Sequence, residues 1–324
     1  MVPTYNRASY LENTLASIFG QTVPVHEVLV VDDGSTDDTA RRIDVLRARH
    51  PQWSHRLHYI RRAHEGKSAA LNEGLRVATG DWIAFNDSDD QWIHWKLELQ
   101  LHSLALHEEA DACFTDVRFV NNPDMPRTAF EISKLNYDGL FGIQPNVSDR
   151  FGSPSWPGIY MQTVLVSTAA IRAFGGFDQA FEMSMDMDFV FRLGLVTPLC
   201  FVNLPLVEVD RAEGRTGLMT LYPLGSIERL HVHTRLLTKW LSLTGDSNPA
   251  MRAGLRRRRS STQSYLANCY LLRRDFTSAR NVLTQAIRQS PRPFLIAKYL
   301  LTWVAPGALT REIERREAGR SMLY

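Results

Sequence analysis

Short apolar runs alternate with helix-patterned segments over residues 25–119, which is typical of βα units stacked into a mostly parallel sheet. Each apolar run is rich in β-branched or aromatic residues, as expected of a buried strand. The predicted strands are Glu27–Asp32, Leu57–Arg61, Trp82–Phe85 and Ala112–Val120. One helix is predicted after Ser9, whose spacing to Glu12 matches a capping box, and another over Asp37–Arg49. The predicted fold class is therefore α/β, a mostly parallel sheet flanked by helices.

The pattern changes twice along the chain. Prolines and glycines interrupt residues 121–157, which favours a substrate-facing loop region. Helical patterning returns at Ile227 and continues to the end, with a helical hairpin predicted over Tyr265–Pro291 and its turn at residues 273–275. We expect an α/β domain over residues 1–220 and a basic α-helical extension over 221–324. Only Met1–Pro3 precede the first turn, so the first strand is either short or truncated.

Composition narrows the class of protein. The chain has 324 residues, 44% hydrophobic and 22% charged, as in globular proteins. Three scattered cysteines exclude a disulfide framework and a cysteine-rich zinc site. The longest apolar stretch, Phe294–Leu309, contains Lys298, Pro306 and Gly307, and the first residues lack the pattern of a signal peptide. These features predict a cytoplasmic protein.

Charge is distributed unevenly. Residues 1–220 carry 19 Lys and Arg against 29 Asp and Glu, whereas residues 221–324 carry 18 against 6, a net charge of +12. The acidic part is consistent with carboxylates that hold cations, and the basic part suggests an anionic partner or, equally, a solvated helix face. The run Arg256, Arg257, Arg258 and Arg259 predicts peripheral contact with anionic lipid at the inner face of a membrane, at about 1 kcal/mol per basic residue. Nucleic acid is not expected, because no nucleic-acid-binding module accompanies the run.

Two acidic clusters follow predicted strands, at the edge where open α/β sheets bind ligands. In the first, Asp33 is placed to accept a hydrogen bond from a nucleobase or ribose, although Asp and Ser there would also cap the next helix. In the second, Asp87, Asp89 and Asp90 repel one another unless a cation compensates them. Oxygen ligands favour Mg²⁺ or Mn²⁺ bound together with substrate phosphates, and the alternative is an exposed acidic turn. No dinucleotide-binding or P-loop glycine pattern is present.

The order of motifs resembles family 2 glycosyltransferases of the GT-A fold over roughly residues 1–216. The motifs are Pro3-Thr4-Tyr5-Asn6-Arg7, Val30-Val31-Asp32-Asp33-Gly34-Ser35, Gly66-Lys67-Ser68-Ala69-Ala70-Leu71-Asn72, Asp87-Ser88-Asp89-Asp90, Gly175-Gly176-Phe177-Asp178 and Asp186-Met187-Asp188-Phe189. The resemblance implies inverting transfer of a sugar from a UDP- or dTDP-sugar to an acceptor hydroxyl of a glycan or lipid-linked glycan. It also implies that Mn²⁺ or Mg²⁺ bridges the diphosphate.

The resemblance also implies residue roles. Pro3, Tyr5 and Asp33 match positions beside the nucleobase, and Lys67 matches a basic position near the nucleotide. Asp87 and Asp89 match the metal-site pair, for which Asp90 is a possible substitute. Asp186 matches the catalytic base. Chemistry favours a carboxylate at the last position, because an inverting displacement needs the acceptor hydroxyl deprotonated. The alternative role for Asp186 is to stabilise a helix N-terminus.

Three features depart from the family. Met185 stands where the family often has an acidic residue next to the catalytic base. Glu213 stands where the family often has a histidine that reaches the metal, and Glu213 would replace that histidine as a ligand. The processive signature and its membrane helices are absent, which favours single additions. Trp156 and Gln162 are predicted to contact the acceptor, with core packing as the alternative for the aromatic ring. Two other functions stay open, a catalytically silent relative that binds nucleotide-sugar or glycan, and a sugar-1-phosphate nucleotidyltransferase, whose glycine-rich N-terminal loop is missing here.

Overall fold

The computed structural model describes residues 1–121, 127–152, 158–211, 225–246 and 248–320. Trp156 and Glu213 lie outside the described residues, as do residues 220 and 221 at the predicted domain boundary. The chain divides into two compact units. The N-terminal unit comprises residues 1–150 and 155–215, and the C-terminal unit comprises residues 151–154 and 216–324.

Two sheets organise the N-terminal unit. Strands β1 (Val2–Thr4), β2 (Val28–Asp32) and β3 (Leu57–Arg61) pair in parallel, and β1 and β2 are buried along their whole length. The second sheet has six strands: β4 (Trp82–Ala84), β5 (Gln91–Trp92), β6 (Ala112–Val120), β7 (Phe141–Gln144), β8 (Leu165–Ser167) and β9 (Leu199–Asp210). Strands β6 and β9 are parallel, whereas β5, β7 and β8 pair antiparallel with their neighbours.

Helices cover these sheets. They are α1 (Leu11–Phe19), α2 (Thr39–Arg49), α3 (Lys67–Val77), α4 (Lys96–Leu106), α5 (Ala129–Ile132), α6 (Val147–Arg150), α7 (Thr168–Phe174) and α8 (Met185–Val196). Helix α1 buries Leu11, Leu15 and Ile18, spaced so that they share one face, in a core that also contains Val2 and Val30. This packing fixes the carboxyl ends of β1 and β2, from which the candidate site is built.

The predicted α/β class is confirmed, with differences in detail. The predicted bounds of β3 and β6 agree with the structure, while Glu27 and Phe85 lie outside strands. The capping box at Ser9 is wrong, because α1 begins at Leu11 without a side-chain cap. The carboxylate of Glu12 instead pairs with two arginines of α2, Arg42 and Arg49.

The C-terminal unit is helical. Its helices are α9 (Ile227–Leu243), α10 (Pro249–Leu272), α11 (Phe276–Gln289), α12 (Pro293–Val304) and α13 (Pro306–Arg320). Helices α10 and α11 form the predicted hairpin, and Asp275 caps α11 by accepting from the Ser278 N–H at 2.9 Å. The indole of Trp240 is fully buried and packs edge-on against Phe151, with ring centroids 5.0 Å apart. Of the helices in the described part of the chain, none is both long and apolar enough to cross a membrane.

The four consecutive arginines of α10 do not form one surface. Arg258 donates to the Phe151 carbonyl at 2.8 Å, and Arg259 donates to the Thr238 hydroxyl at 3.3 Å. Arg256 and Arg257 are exposed. A helix turns by about 100° per residue, so a run of four residues is spread around its axis.

Candidate active site

The residues Asn86–Asp90, here called the acid loop, begin two residues after the end of β4 and are held by several segments of the chain. The Asn86 N–H donates to the Met1 carbonyl at 3.0 Å, beside β1. The Asn86 side-chain amide donates to the Asp90 carbonyl at 3.0 Å, and the Thr14 hydroxyl donates to the Ser88 carbonyl at 2.9 Å. The acid loop therefore has a defined conformation next to the parallel strands.

The carboxylates of the acid loop have positively charged and neutral partners. The Lys67 ammonium, at the first residue of α3, forms an ion pair with Asp87. The buried Gln162 amide donates to an oxygen of Asp90 at 2.7 Å and to one of Asp87 at 3.4 Å. Burial, followed by the charges of Asp87 and Asp89, raises the pKa of Asp90 well above its usual value. A charged Asp90 is therefore disfavoured unless further positive charge is added.

Asp186 occupies the first turn of α8 and faces the same charges. One of its carboxylate oxygens accepts from the Met187 N–H at 2.8 Å. Burial raises the pKa of Asp186, while the positive charge of Lys67 opposes this shift and the negative charge of Asp87 adds to it. The Ser68 hydroxyl, next to Lys67 in the chain, lies 3.2 Å from the sulfur of Met185, next to Asp186, so Lys67, its partner Asp87 and Asp186 are neighbours. Asp188 differs, since it is fully buried and pairs with Arg192 at 2.7 Å within α8.

A backbone clamp holds the segment before α8 against α3. The Asn72 amide donates to the Phe177 carbonyl and its oxygen accepts from the Phe177 N–H, each at 2.8 Å. Gly176 permits this approach, because it has φ of +71° and a Cβ there would lie 2.7 Å from the Asn72 oxygen. The Ser68 hydroxyl lies 3.2 Å from the Met185 sulfur, which adds a second contact. Asp186 is thus positioned relative to Lys67 by α3 itself.

Three aromatic rings also connect the residue before the acid loop, the segment before α8 and α8 itself. Phe85, immediately before the acid loop, contacts Phe177 and Phe189 edge-on, with centroids 5.5 and 5.4 Å apart. Phe177 and Phe189 stack on each other at 4.6 Å. The residue after β4, the segment that follows Gly176 and helix α8 therefore share one packed aromatic cluster.

The residues predicted to contact the nucleobase lie at the ends of β1 and β2. The buried Asp33 carboxylate accepts from the Gly66 N–H at 2.8 Å and from the Glu65 N–H at 3.1 Å, and the His64 ring nitrogen lies 2.8 Å away. Tyr5 is 42% exposed and stacks on His64, with centroids 4.2 Å apart and planes 16° apart. Pro3 is buried in β1 beside Val31.

The structure thus brings Lys67, Asp87, Asp90, Gln162 and Asp186 together. Asp89 is partly exposed, and the Arg7 guanidinium lies 4.0 Å from its carboxylate. No role was predicted for Asn72 or His64, although Asn72 and Phe177 stand in two of the motifs quoted above. Their separation of 105 positions leaves no local signal that they contact each other.

The donor set of the acid loop fits a hard divalent cation. Within the described ranges, no three His, Cys, Asp or Glu side chains are grouped as a complete ligand set. Asp87 and Asp89 nevertheless supply carboxylate oxygens, and Mg²⁺ typically takes one or two carboxylates together with substrate phosphates and water. Three carboxylates lie within residues 87–90, and Lys67 pairs with that of Asp87, so a further cation would be attracted to this loop. Asp87 and Asp89 are the residues that would hold the ion, with Asp90 beside them.

Comparison with known proteins places these residues in a wider context. Residues 1–156 match the model of glycosyl transferase family 2. The putative teichuronic acid biosynthesis glycosyltransferase TuaG of Bacillus subtilis is 38% identical over 102 residues, 31% of this chain and 39% of TuaG. An uncharacterized glycosyltransferase of Rickettsia bellii is 38% identical over 101 residues, 31% of this chain but 14% of the relative. The chain therefore aligns with well under two thirds of the length of these relatives.

The proteins that align with more of this chain are less similar to it in sequence. A PGL/p-HBAD biosynthesis glycosyltransferase of Mycobacterium bovis is 29% identical over 237 residues, 65% of this chain and 89% of the relative. The crystal structure of S. aureus TarS 1–349 in complex with UDP-GlcNAc matches 98% of this chain and 90% of that chain, with a TM-score of 0.68 and 18% identity. The mannosyltransferase PcManGT from Pyrobaculum calidifontis, in complex with GDP-Man and Mn²⁺, matches 95% of this chain and 85% of that chain, with a TM-score of 0.57 and 19% identity. These structural likenesses show the fold.

Proposed function

From its glycosyl transferase family 2 domain, residues 1–156, we propose that this chain is an inverting, metal-assisted glycosyltransferase. The donor is a UDP- or dTDP-sugar, and the acceptor is a hydroxyl of a glycan or lipid-linked glycan. The observation that carries the proposal is the convergence of Lys67, Asp87 and Asp186 on one site. TuaG, whose name refers to teichuronic acid biosynthesis, and TarS, solved with UDP-GlcNAc, support this choice of substrates.

Asp186 is proposed as the general base. Its carboxylate accepts the proton of the acceptor hydroxyl while that oxygen attacks the anomeric carbon and the bond to the diphosphate breaks on the opposite face. Burial raises the pKa of Asp186, which makes it a stronger base than an exposed aspartate. Met185 replaces the acidic neighbour of the family, so burial has to provide the shift that a second carboxylate would provide.

The leaving diphosphate is proposed to lie between Lys67 and the acid loop. Lys67 pairs with Asp87 in the free protein, and its ammonium can also contact a phosphate oxygen. A Mg²⁺ or Mn²⁺ ion held by Asp89 and Asp87 would neutralise the charge that develops on the departing diphosphate. Gln162 contributes by fixing the two carboxylates of Asp87 and Asp90 in place.

The nucleobase of the donor is proposed to lie near Tyr5 and Asp33. The Asp33 carboxylate accepts two backbone N–H groups and lies 2.8 Å from the His64 ring nitrogen. A carboxylate offers about four lone-pair positions, so about one is left for a nucleobase imide or ribose hydroxyl. Tyr5 stacks on His64 through one face and has an exposed surface for a ring. Pro3, which is buried in β1 two residues before Tyr5, is the third residue proposed beside the nucleobase. Contact of Trp156 and Gln162 with the acceptor stays a prediction.

The experiment is donor turnover with Mn²⁺ on a panel of nucleotide-sugars, with and without glycan acceptors. Asp186→Asn and Asp89→Ala should each abolish turnover, while Asp38→Asn, an exposed carboxylate before α2, should not change it. Unchanged turnover in Asp186→Asn would remove this residue from the base role. Binding of UDP without turnover of any donor would favour the silent relative. Pyrophosphate release from a nucleoside triphosphate and a sugar-1-phosphate would favour the nucleotidyltransferase.

We also propose that residues 1–220 carry out the transfer and that residues 221–324 bring the enzyme to the inner face of a membrane from the cytoplasm. Arg256 and Arg257 are the members of the arginine run that are exposed to anionic lipid, whereas Arg258 donates to the protein backbone. Flotation with anionic vesicles should weaken as salt rises, because exposed charges are screened. Absence of flotation at low salt would refute the membrane contact and leave the transfer proposal standing.

A further inference from the structure

Helix α12 carries its large apolar side chains on the protein surface. Six of them are between 41% and 82% exposed: Phe294, Ile296, Leu300, Leu301, Trp303 and Val304. Every exposed position of α12 holds an apolar residue. The positions that face inward include Thr302, which is fully buried, and Lys298, whose ammonium donates to the Ser264 carbonyl and hydroxyl at 2.9 and 2.7 Å.

This distribution is the reverse of an ordinary surface helix, which exposes its polar side chains. At about 100° per residue the six exposed side chains fall on one half of the helix. We call this half the apolar face of α12. Contiguous exposed apolar surface of this kind marks a site of contact with protein or lipid. Twelve residues make a helix about 18 Å long, too short to span a bilayer, so α12 is suited to lie in the plane of a surface.

Charge decides between lipid and a second copy of the chain. Residues 221–324 carry a net charge of +12, so two copies that met through this face would bring like charge together. An anionic bilayer is attracted by the same charge. The Arg280 guanidinium lies 3.7 Å from the centroid of the Trp303 ring, and Arg292 directly precedes the helix. A tryptophan with a cation beside it suits the boundary between acyl chains and head groups.

We infer that the apolar face of α12 inserts into the head-group region of an anionic lipid bilayer. The inference rests on the membrane contact proposed above and deepens it, because it moves the main contact from the arginines of α10 to α12. Binding then combines apolar burial with charge attraction, as in other interfacial helices.

The first experiment is flotation of the full chain with vesicles of phosphatidylcholine and phosphatidylglycerol. Leu300→Glu combined with Trp303→Glu should lower the vesicle partition coefficient by about tenfold or more, because two apolar side chains no longer transfer out of water. The matched control is Leu243→Glu, which changes an exposed leucine at the end of α9, 45% exposed, and should bind like the wild type. Wild-type binding by the α12 variant would overturn the inference.

A second measurement separates insertion from loss of folding. Trp303→Phe keeps the apolar face, so it should still float, but quenching of tryptophan fluorescence by brominated lipids should largely disappear. Trp82→Phe, at a tryptophan that is 37% exposed in the N-terminal unit, should leave the quenching intact. Unchanged quenching in Trp303→Phe would overturn the inference.

The oligomeric state provides the competing outcome. A wild-type chain that sediments as a dimer without floating, and that Leu300→Glu converts to a monomer, would make the face an interface between copies and refute lipid insertion. Donor turnover without lipid tests the proposed reaction separately. If turnover persists while flotation fails, the membrane inference is refuted alone.

Discussion

Substituting Asn72 by Leu removes the clamp between α3 and the segment before α8. Both Phe177 backbone groups bond to the Asn72 side chain at 2.8 Å, and Phe177 is 3% exposed. A buried backbone group left without a partner costs about 1–3 kcal/mol. Asn72 is half-buried, so water replaces part of the loss, and we expect Asn72→Leu to lower the free energy of unfolding by about 2–4 kcal/mol.

Urea unfolding followed by tryptophan fluorescence measures this loss, and hydrogen exchange of the Phe177 amide localises it. The matched control is Glu73→Gln, the next residue of α3, whose ion pair with Arg76 is exposed to solvent and contributes little to stability. Because the clamp positions Asp186 relative to Lys67, donor turnover should fall more than donor affinity. Stability within about 0.5 kcal/mol of the wild type would refute the reasoning.

Three further predictions test other parts of the chain. Lys67→Met should move the acidic limb of the pH–rate profile to higher pH. Asp186 must be ionised to act as base, and loss of the nearby positive charge raises its pKa further, so an unmoved limb would contradict this. Gly254→Ala should destabilise the C-terminal unit by about 1–3 kcal/mol in thermal unfolding, because its Cβ would lie 2.3 Å from the Gly152 carbonyl oxygen. Gly307→Ala, with no atom closer than 3.9 Å, should be tolerated. Mn²⁺ and UDP together should raise Tm more than either alone, and Asp89→Ala should remove that increment; equal increments in both proteins would exclude Asp89 as a ligand.

Strands and motifs whose signal lies within a few consecutive residues were predicted from the sequence. The β-branched runs located β3 and β6, and the order of the motifs indicated a family resemblance that the match over residues 1–156 confirms. The pairing of β7 with β9 was not predicted, since glycines and prolines mark its surroundings as loop. Gly142 there is needed because a Cβ would lie 2.4 Å from the Phe201 ring.

Contacts between distant residues could not be predicted from periodicity. Asn72 and Phe177 are separated by 105 positions and Gln162 and Asp90 by 72, so neither pair leaves a local trace. The capping box at Ser9 failed for the same reason, because Glu12 finds charged partners on α2. The apolar stretch that begins at Phe294 was visible in the sequence, but which of its sides meets the core depended on the packing of α12.

The acid loop has a consequence for anyone who recombines this protein with its relatives. Its shape depends on Thr14, Lys67 and Gln162, which come from three separate stretches of the chain. A chimera that exchanged one stretch alone would combine a loop from one parent with supports from the other. Crossover points should therefore lie after residue 163, so that loop and supports are inherited as a block while later segments vary.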